Sequence, residues 1–109
     1  MLIRGDIMLN QLVLVGQIRR IPDSHVIDGD NELIIEVKRN YKNMQGVFES
    51  DFFKCYLWFA ISKKISLNCK IGDLVVVKGR LVDADNACKI IAEQVVLLNK
   101  SIENEAFVR

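Results

Sequence analysis

The chain has 109 residues and a formal charge of +1, with half of its residues hydrophobic and 27% charged. That is enough for one domain with one core and too little for two, and the near-neutral total gives no overall basic field of the kind that announces a nucleic-acid binder. Three widely spaced cysteines (Cys55, Cys69, Cys88) without a CxxC pair, and a single histidine, exclude a clustered metal site.

The cysteines read as buried or incidental thiols of a reducing cytosol, and His25 as a solvated loop residue. Without a signal peptide or an apolar run of bilayer-spanning length, the expectation is a cytoplasmic protein with no membrane partner.

Leu9 to Ile18 are rich in β-branched and apolar side chains and predict a first strand. Residues 20–31 hold the only proline, Pro22, and a turn signal at Asp28-Gly29, and predict a loop. Glu32 to Arg39 predict a second strand, with Leu33, Ile35 and Val37 on one face and Glu32, Ile34, Glu36 and Lys38 on the other. Asn40 to Gly46 predict a polar hairpin loop that carries Tyr41, and Val47 to Phe59 a third strand.

Ala60 to Lys70 place Ile61, Ile65 and Leu67 or Cys69 at the spacing of a short helix, with Lys63 and Lys64 on its exposed side. Gly72 falls where a helix C-terminal cap is expected. Leu74 to Val82 and Cys88 to Leu98 predict two further strands joined by the acidic turn Asp83 to Ala87. The resulting fold class is all-β: a five-stranded OB-fold barrel with one short helix between strands 3 and 4.

The third strand is the informative one. Phe53, Cys55, Leu57 and Phe59 form a core-facing row, while Phe48, Ser50, Phe52, Lys54, Tyr56 and Trp58 face outward. An outward row of four aromatics is a liability unless something covers it. A protein interface and a stacking platform for bases both suit such a row.

Cations favour the second reading. Lys38, Lys54, Lys78 and Arg80 share or approach the outward parity of their strands, and Arg39 and Lys42 flank Tyr41. Phosphates need cations at intervals, with flat apolar faces between them for the bases, whereas lysine is depleted at protein interfaces. Lys63, Lys64 and Lys100 read as solvated surface charges. Asp51, Glu49 and Glu93 make no recognisable catalytic pair, and neither a phosphate-cradling glycine loop nor an HExxH pattern is present. The expectation is a binding protein without catalysis or cofactor.

Over about residues 8–99 the chain resembles the bacterial single-stranded DNA-binding protein family. The likeness is carried by Met8 to Gly16, Lys38-Arg39-Asn40-Tyr41-Lys42-Asn43 with Gly46, Asp51-Phe52, Cys55-Tyr56-Leu57-Trp58, Ile71 to Val75 and Lys78 to Leu81. It implies an OB-fold domain over 8–99 between an N-terminal extension (1–7) and a short flexible tail (100–109). It also implies stacking on Tyr41, Phe52 and Trp58, first strands paired across a dimer axis at Leu12 to Val15, and a homo-oligomer, a tetramer before a dimer.

Three departures stand out. The hairpin between strands 4 and 5 is cut to Val82–Ala87 and has lost the family's aromatic, a stacking site worth about 1–3 kcal/mol, for which Tyr56 on the same face partly compensates. The family's acidic, partner-recruiting tip is not expected, since Glu103 to Arg109 is short and ends in a basic residue, and Glu36 lies on the proposed binding face, where it repels phosphate.

The function expected is sequence-nonspecific binding of single-stranded DNA in replication, recombination and repair. The protein is expected to be cytoplasmic and nucleoid-associated, with replication or repair proteins as further partners. A primosomal replication-restart adaptor and a protein-interaction module without nucleic-acid affinity are the alternatives. RNA stays open, because stacking and phosphate contacts do not read the 2′-hydroxyl.

Overall fold

The computed structural model describes residues 8–23 and 31–98. The expected extension, the expected tail and His25 lie outside them. The chain runs β1 (Leu12–Arg20), β2 (Glu32–Lys42), β3 (Phe48–Leu57), α1 (Phe59–Asn68), β4 (Leu74–Ala84) and β5 (Ala87–Leu97). The strands close into a barrel in the order β1-β2-β3-β5-β4, the OB-type architecture that the strand order predicts.

Closure rests on two features. β1 pairs with β4 from Leu12↔Gly79 to Gln17↔Leu74, while its pairing with β2 begins at Gln17↔Glu36. The strand therefore passes from one ladder to the other at Gly16–Gln17. On the other side β3 meets β5 in a short parallel ladder, Cys55↔Ile90 to Leu57↔Ala92. Just before β1, the Asn10 side-chain amide extends the β1–β4 ladder, donating from Nδ2 to the Leu81 carbonyl (2.7 Å) and accepting from the Leu81 N–H (2.9 Å).

The core is what period-2 patterning dictates. Leu33 and Ile35 of β2, Cys55 and Leu57 of β3, and Val75 and Val77 of β4 turn inward with Ile18, Ala92 and Ile65 of α1. Burial pushes the Cys55 thiol up to about 11, so it acts as a small core hydrophobe. The helix is held by Ile65 and the buried Ser62, and Ser66 Oγ donates to the Pro22 carbonyl at 2.6 Å.

Several local expectations are refined or corrected. β3 stops at Leu57: Trp58 is the extended residue that caps α1, and Phe59, expected in the core row, begins the helix and is exposed. Tyr41 lies on β2 and not in a loop, because the β2–β3 ribbon continues past an irregularity to Lys42↔Phe48. Of the alternatives Leu67 and Cys69, Cys69 packs against the core and Leu67 turns outward on α1. Gly72 does not cap the helix, which ends at an extended Cys69; its φ of +97° belongs to the turn into β4, where its N–H donates to the Ile18 carbonyl at 2.8 Å. The β4–β5 hairpin is tighter than the expected acidic turn: Asp85 and Asn86, both at positive φ, make a two-residue turn between Ala84 and Ala87.

Candidate nucleic-acid interface

The β2–β3 ribbon presents its even-numbered side chains outward in facing pairs: Glu32–Tyr56, Ile34–Lys54, Glu36–Phe52 and Lys38–Ser50. Phe52 is 62% exposed, Trp58 at the strand's exit 64% and Tyr41 at the far end of β2 60%. No packing requirement accounts for three large rings left this open to water. Phe48 is also exposed, with Lys42 Nζ 5.6 Å from its ring centroid. Tyr56 is half-buried, because Lys89 of β5 reaches over it to 5.3 Å from the centroid. Phe52, Trp58 and Tyr41 are thus the open rings, and Tyr56 is a partly capped one.

The cations divide into two sets. Arg39 is bound to acids: Nε and Nη2 donate to Asp51 Oδ2 (3.1 Å) and Oδ1 (2.9 Å), and Nη1 to Glu49 Oε1 (3.0 Å). Its hydrogen bonds to Asp51 raise its own pKa and hold the Asp51 carboxyl below the usual carboxylate range. Arg39 shares the inward parity of Leu33, Ile35 and Val37, and Asp51 and Glu49 that of Phe53 and Cys55. The cluster therefore ties the ribbon's distal end together.

Arg80 pairs with Glu93 at 3.0 Å, and Lys54 lies 3.9 Å from Glu32. Among the described residues Lys38, Lys42 and Lys78 have no carboxylate within ion-pair distance. Exposed pairs of this kind contribute little to stability, so a phosphate competes with the carboxylates on modest terms.

The acid beside Phe52 is neutralised. Glu36 accepts from the Ser50 hydroxyl and from Arg19 Nε at 2.7 Å, and these bonds hold its carboxyl below the usual range. The Arg19–Glu36 pair beside Phe52 removes most of the repulsion that an isolated carboxylate there would exert on a phosphate.

The structure brings together Lys38, Tyr41, Lys42, Phe52, Lys54, Tyr56 and Trp58 on one ribbon and its exit. Lys78 and Arg80 stand elsewhere. β4 is adjacent to neither β2 nor β3 in the barrel, and Lys78 faces out between Val13 of β1 and Gln94 of β5.

Two residues escaped sequence reasoning. Arg19 is found by continuing the alternation of β1 one residue past its expected end. Lys89 carries no signal of its own, because only the β3–β5 pairing brings it to Tyr56.

A family model for the single-strand binding protein family matches residues 9–96. Among curated relatives, single-stranded DNA-binding protein B of Bacillus subtilis is 34% identical over 77 residues, covering 68% of each chain. The single-stranded DNA-binding protein of Oceanobacillus iheyensis is 35% identical over 77 residues, covering 68% of this chain and 48% of its own. This chain thus spans two thirds of the first relative and about half of the second.

Among solved structures, the small single-stranded DNA-binding protein from Streptomyces coelicolor superposes with a TM-score of 0.60 at 19% identity, over 85% of this chain and 97% of that one. A Plasmodium falciparum SSB in complex with ssDNA gives 0.63 at 16% identity, over 87% of this chain and 99% of that one. At these identities the likeness establishes the fold.

Proposed function

This chain belongs to the single-strand binding protein family, and from that premise we propose that it holds single-stranded DNA across its β2–β3 face without sequence preference. The observation that carries the reading is the open rings Phe52 and Trp58, with Tyr41 exposed at the far end of β2, on a ribbon that also bears Lys38, Lys42 and Lys54. Bases stack on the rings, each contact contributing about 1–3 kcal/mol, and phosphates lie against the lysines. The work is binding, and the protein is not an enzyme. Such a binder serves replication, recombination and repair in the cytoplasm, associated with the nucleoid, with the proteins of those processes as partners. The relatives are named for single-stranded DNA binding, which disfavours the restart-adaptor and pure protein-interaction readings.

The same reading includes a homo-oligomer, a tetramer before a dimer. Val15, Val76 and Val96 stand side by side across β1, β4 and β5, with Val13 next to them, and Val13, Val15 and Val96 are exposed. Leu12 to Val15 precede the start of the β1–β2 pairing, which leaves that edge of β1 able to pair with a second copy. In an assembly of this kind Lys78 and Arg80 flank the apolar row and meet DNA only where a strand continues around the barrel.

Titrating the protein with oligo-dT while following Trp58 fluorescence tests the binding. Quenching that weakens with salt and is absent with duplex DNA is the expected result. No quenching by any single strand at low salt removes Trp58 from the interface.

A further inference from the structure

Two cations meet at the seam between β3 and β5. The parallel ladder begins at Cys55↔Ile90, and both of those side chains turn toward the core. Lys54 and Lys89, one residue earlier on each strand, therefore stand side by side on the outer surface. Lys89 Nζ lies 5.3 Å from the centroid of the Tyr56 ring, a cation–π contact that holds the ammonium against β3. Neither lysine is strongly engaged by an acid. Lys54 Nζ is 3.9 Å from Glu32, and Lys89 Nζ is 3.4 Å from Asp85, whose side chain is 86% exposed. Like charges set next to each other across a ladder repel, and an anion between them relieves the repulsion.

We infer that Lys89 is a phosphate ligand of the single-strand path, and that Tyr56 acts as its platform rather than as a stacking ring. The assignment rests on the reading that single strands run along the β2–β3 face. Phe52 and Trp58 are six residues apart on extended chain, about 20 Å, so a strand stacked on both carries its phosphates past the Lys54–Lys89 pair. A base reaches the outer face of Tyr56 only by displacing Lys89, whereas Phe52 and Trp58 are open. A phosphate needs no such displacement, because it meets an ammonium already held by the ring. Asp85 is the competitor. It stands in the two-residue turn at φ +54°, and its pair with Lys89 is largely exposed, so a phosphate displaces it at little cost. Beyond Lys89 the outward row continues from Tyr56 through Ile91 of β5 to Arg80 of β4, the direction in which a longer strand passes around the barrel.

Fluorescence anisotropy of labelled oligo-dT against salt, with the full chain and its variants, tests this. Lys89→Ala is expected to weaken binding several-fold at low salt and to remove about 0.7 from the slope of log K against log salt, and Lys89→Arg to restore both. Tyr56→Leu loses part of the same slope and adds nothing in the Lys89→Ala background. Asp85→Asn, which suits a positive φ, tightens binding in the parent and has much less effect without Lys89. Tighter binding by Lys89→Ala would show instead that the lysine is a lid over a stacking ring. An unchanged slope, or losses from Tyr56→Leu and Lys89→Ala that simply add, would likewise overturn the assignment. Lys89 is a surface side chain, so its two variants decide even where Tyr56→Leu disturbs packing. Salt-dependent binding by the parent keeps the DNA-binding reading in place whichever way the Lys89 variants fall. A parent that binds no single strand removes that reading itself.

Discussion

The carbonyl oxygen of Glu36 in β2 lies 2.3 Å from the position a β-carbon on Gly16 of β1 would occupy. The neighbour is backbone in the middle of a ladder and has no rotamer with which to yield. Gly16→Ala must therefore part β1 from β2 where the barrel closes. A loss of about 1–3 kcal/mol or more is expected, seen as a lower urea midpoint with the slope unchanged.

The open rings separate binding from stability. Phe52→Ala and Trp58→Ala each weaken binding of labelled oligo-dT by about 1–3 kcal/mol. Both rings are more than half exposed, so the variants unfold within about 0.5 kcal/mol of the parent. Tyr56→Ala costs less affinity than either, because Lys89 already covers part of that ring. Fluorescence anisotropy beside urea denaturation distinguishes this pattern from a structural role, in which the two losses track each other.

Salt dependence reads the cations. A lysine that neutralises one phosphate of a single strand contributes about 0.7 to the slope of log K against log salt. Lys38→Ala is expected to remove about that amount with oligonucleotides of any length. Lys78→Ala leaves the slope unchanged with an oligonucleotide of about eight nucleotides, within the range one such fold accommodates, and lowers it with longer ones that continue around the barrel. Equal effects of Lys78→Ala at both lengths would place β4 inside the primary path.

Acid stability follows from Glu36 and Asp51. Both carboxyls are held below their ordinary values, Glu36 by Ser50 and Arg19, Asp51 by Arg39. A carboxyl depressed in the folded state stabilises fully above its unfolded pKa of about 4 and loses that contribution as pH falls through the lower folded value. The urea midpoint should therefore change little above about pH 5 and fall below about pH 4. A Glu36→Gln/Asp51→Asn variant starts lower at neutral pH and converges on the parent in acid. A gap that stays constant down to pH 2 would show that the two carboxylates are not the titrating groups.

Much of this was legible in the chain itself. Alternation in β2 and β3 named Leu33, Ile35, Cys55 and Leu57 as inward, and the outward row Phe52–Lys54–Tyr56 followed from the same period. Alternation is a property of each strand alone, fixed by the pleat, so it needs no partner to be read. The end of β3 was not legible, because Trp58 and Phe59 continue the alternation while the backbone already turns into α1.

Placement relative to other strands was beyond the sequence, because register and closure depend on residues far apart in the chain. Only the folded barrel sets Arg39 on Asp51, neutralises Glu36 with Arg19, lays Lys89 over Tyr56 through the β3–β5 ladder, and carries Lys78 away from Phe52. The sequence by itself determined which side chains point out and which of them can stack or carry charge. The tertiary structure decided which of those share one face and which cations are already bound to acids, because both are set by distances between strands.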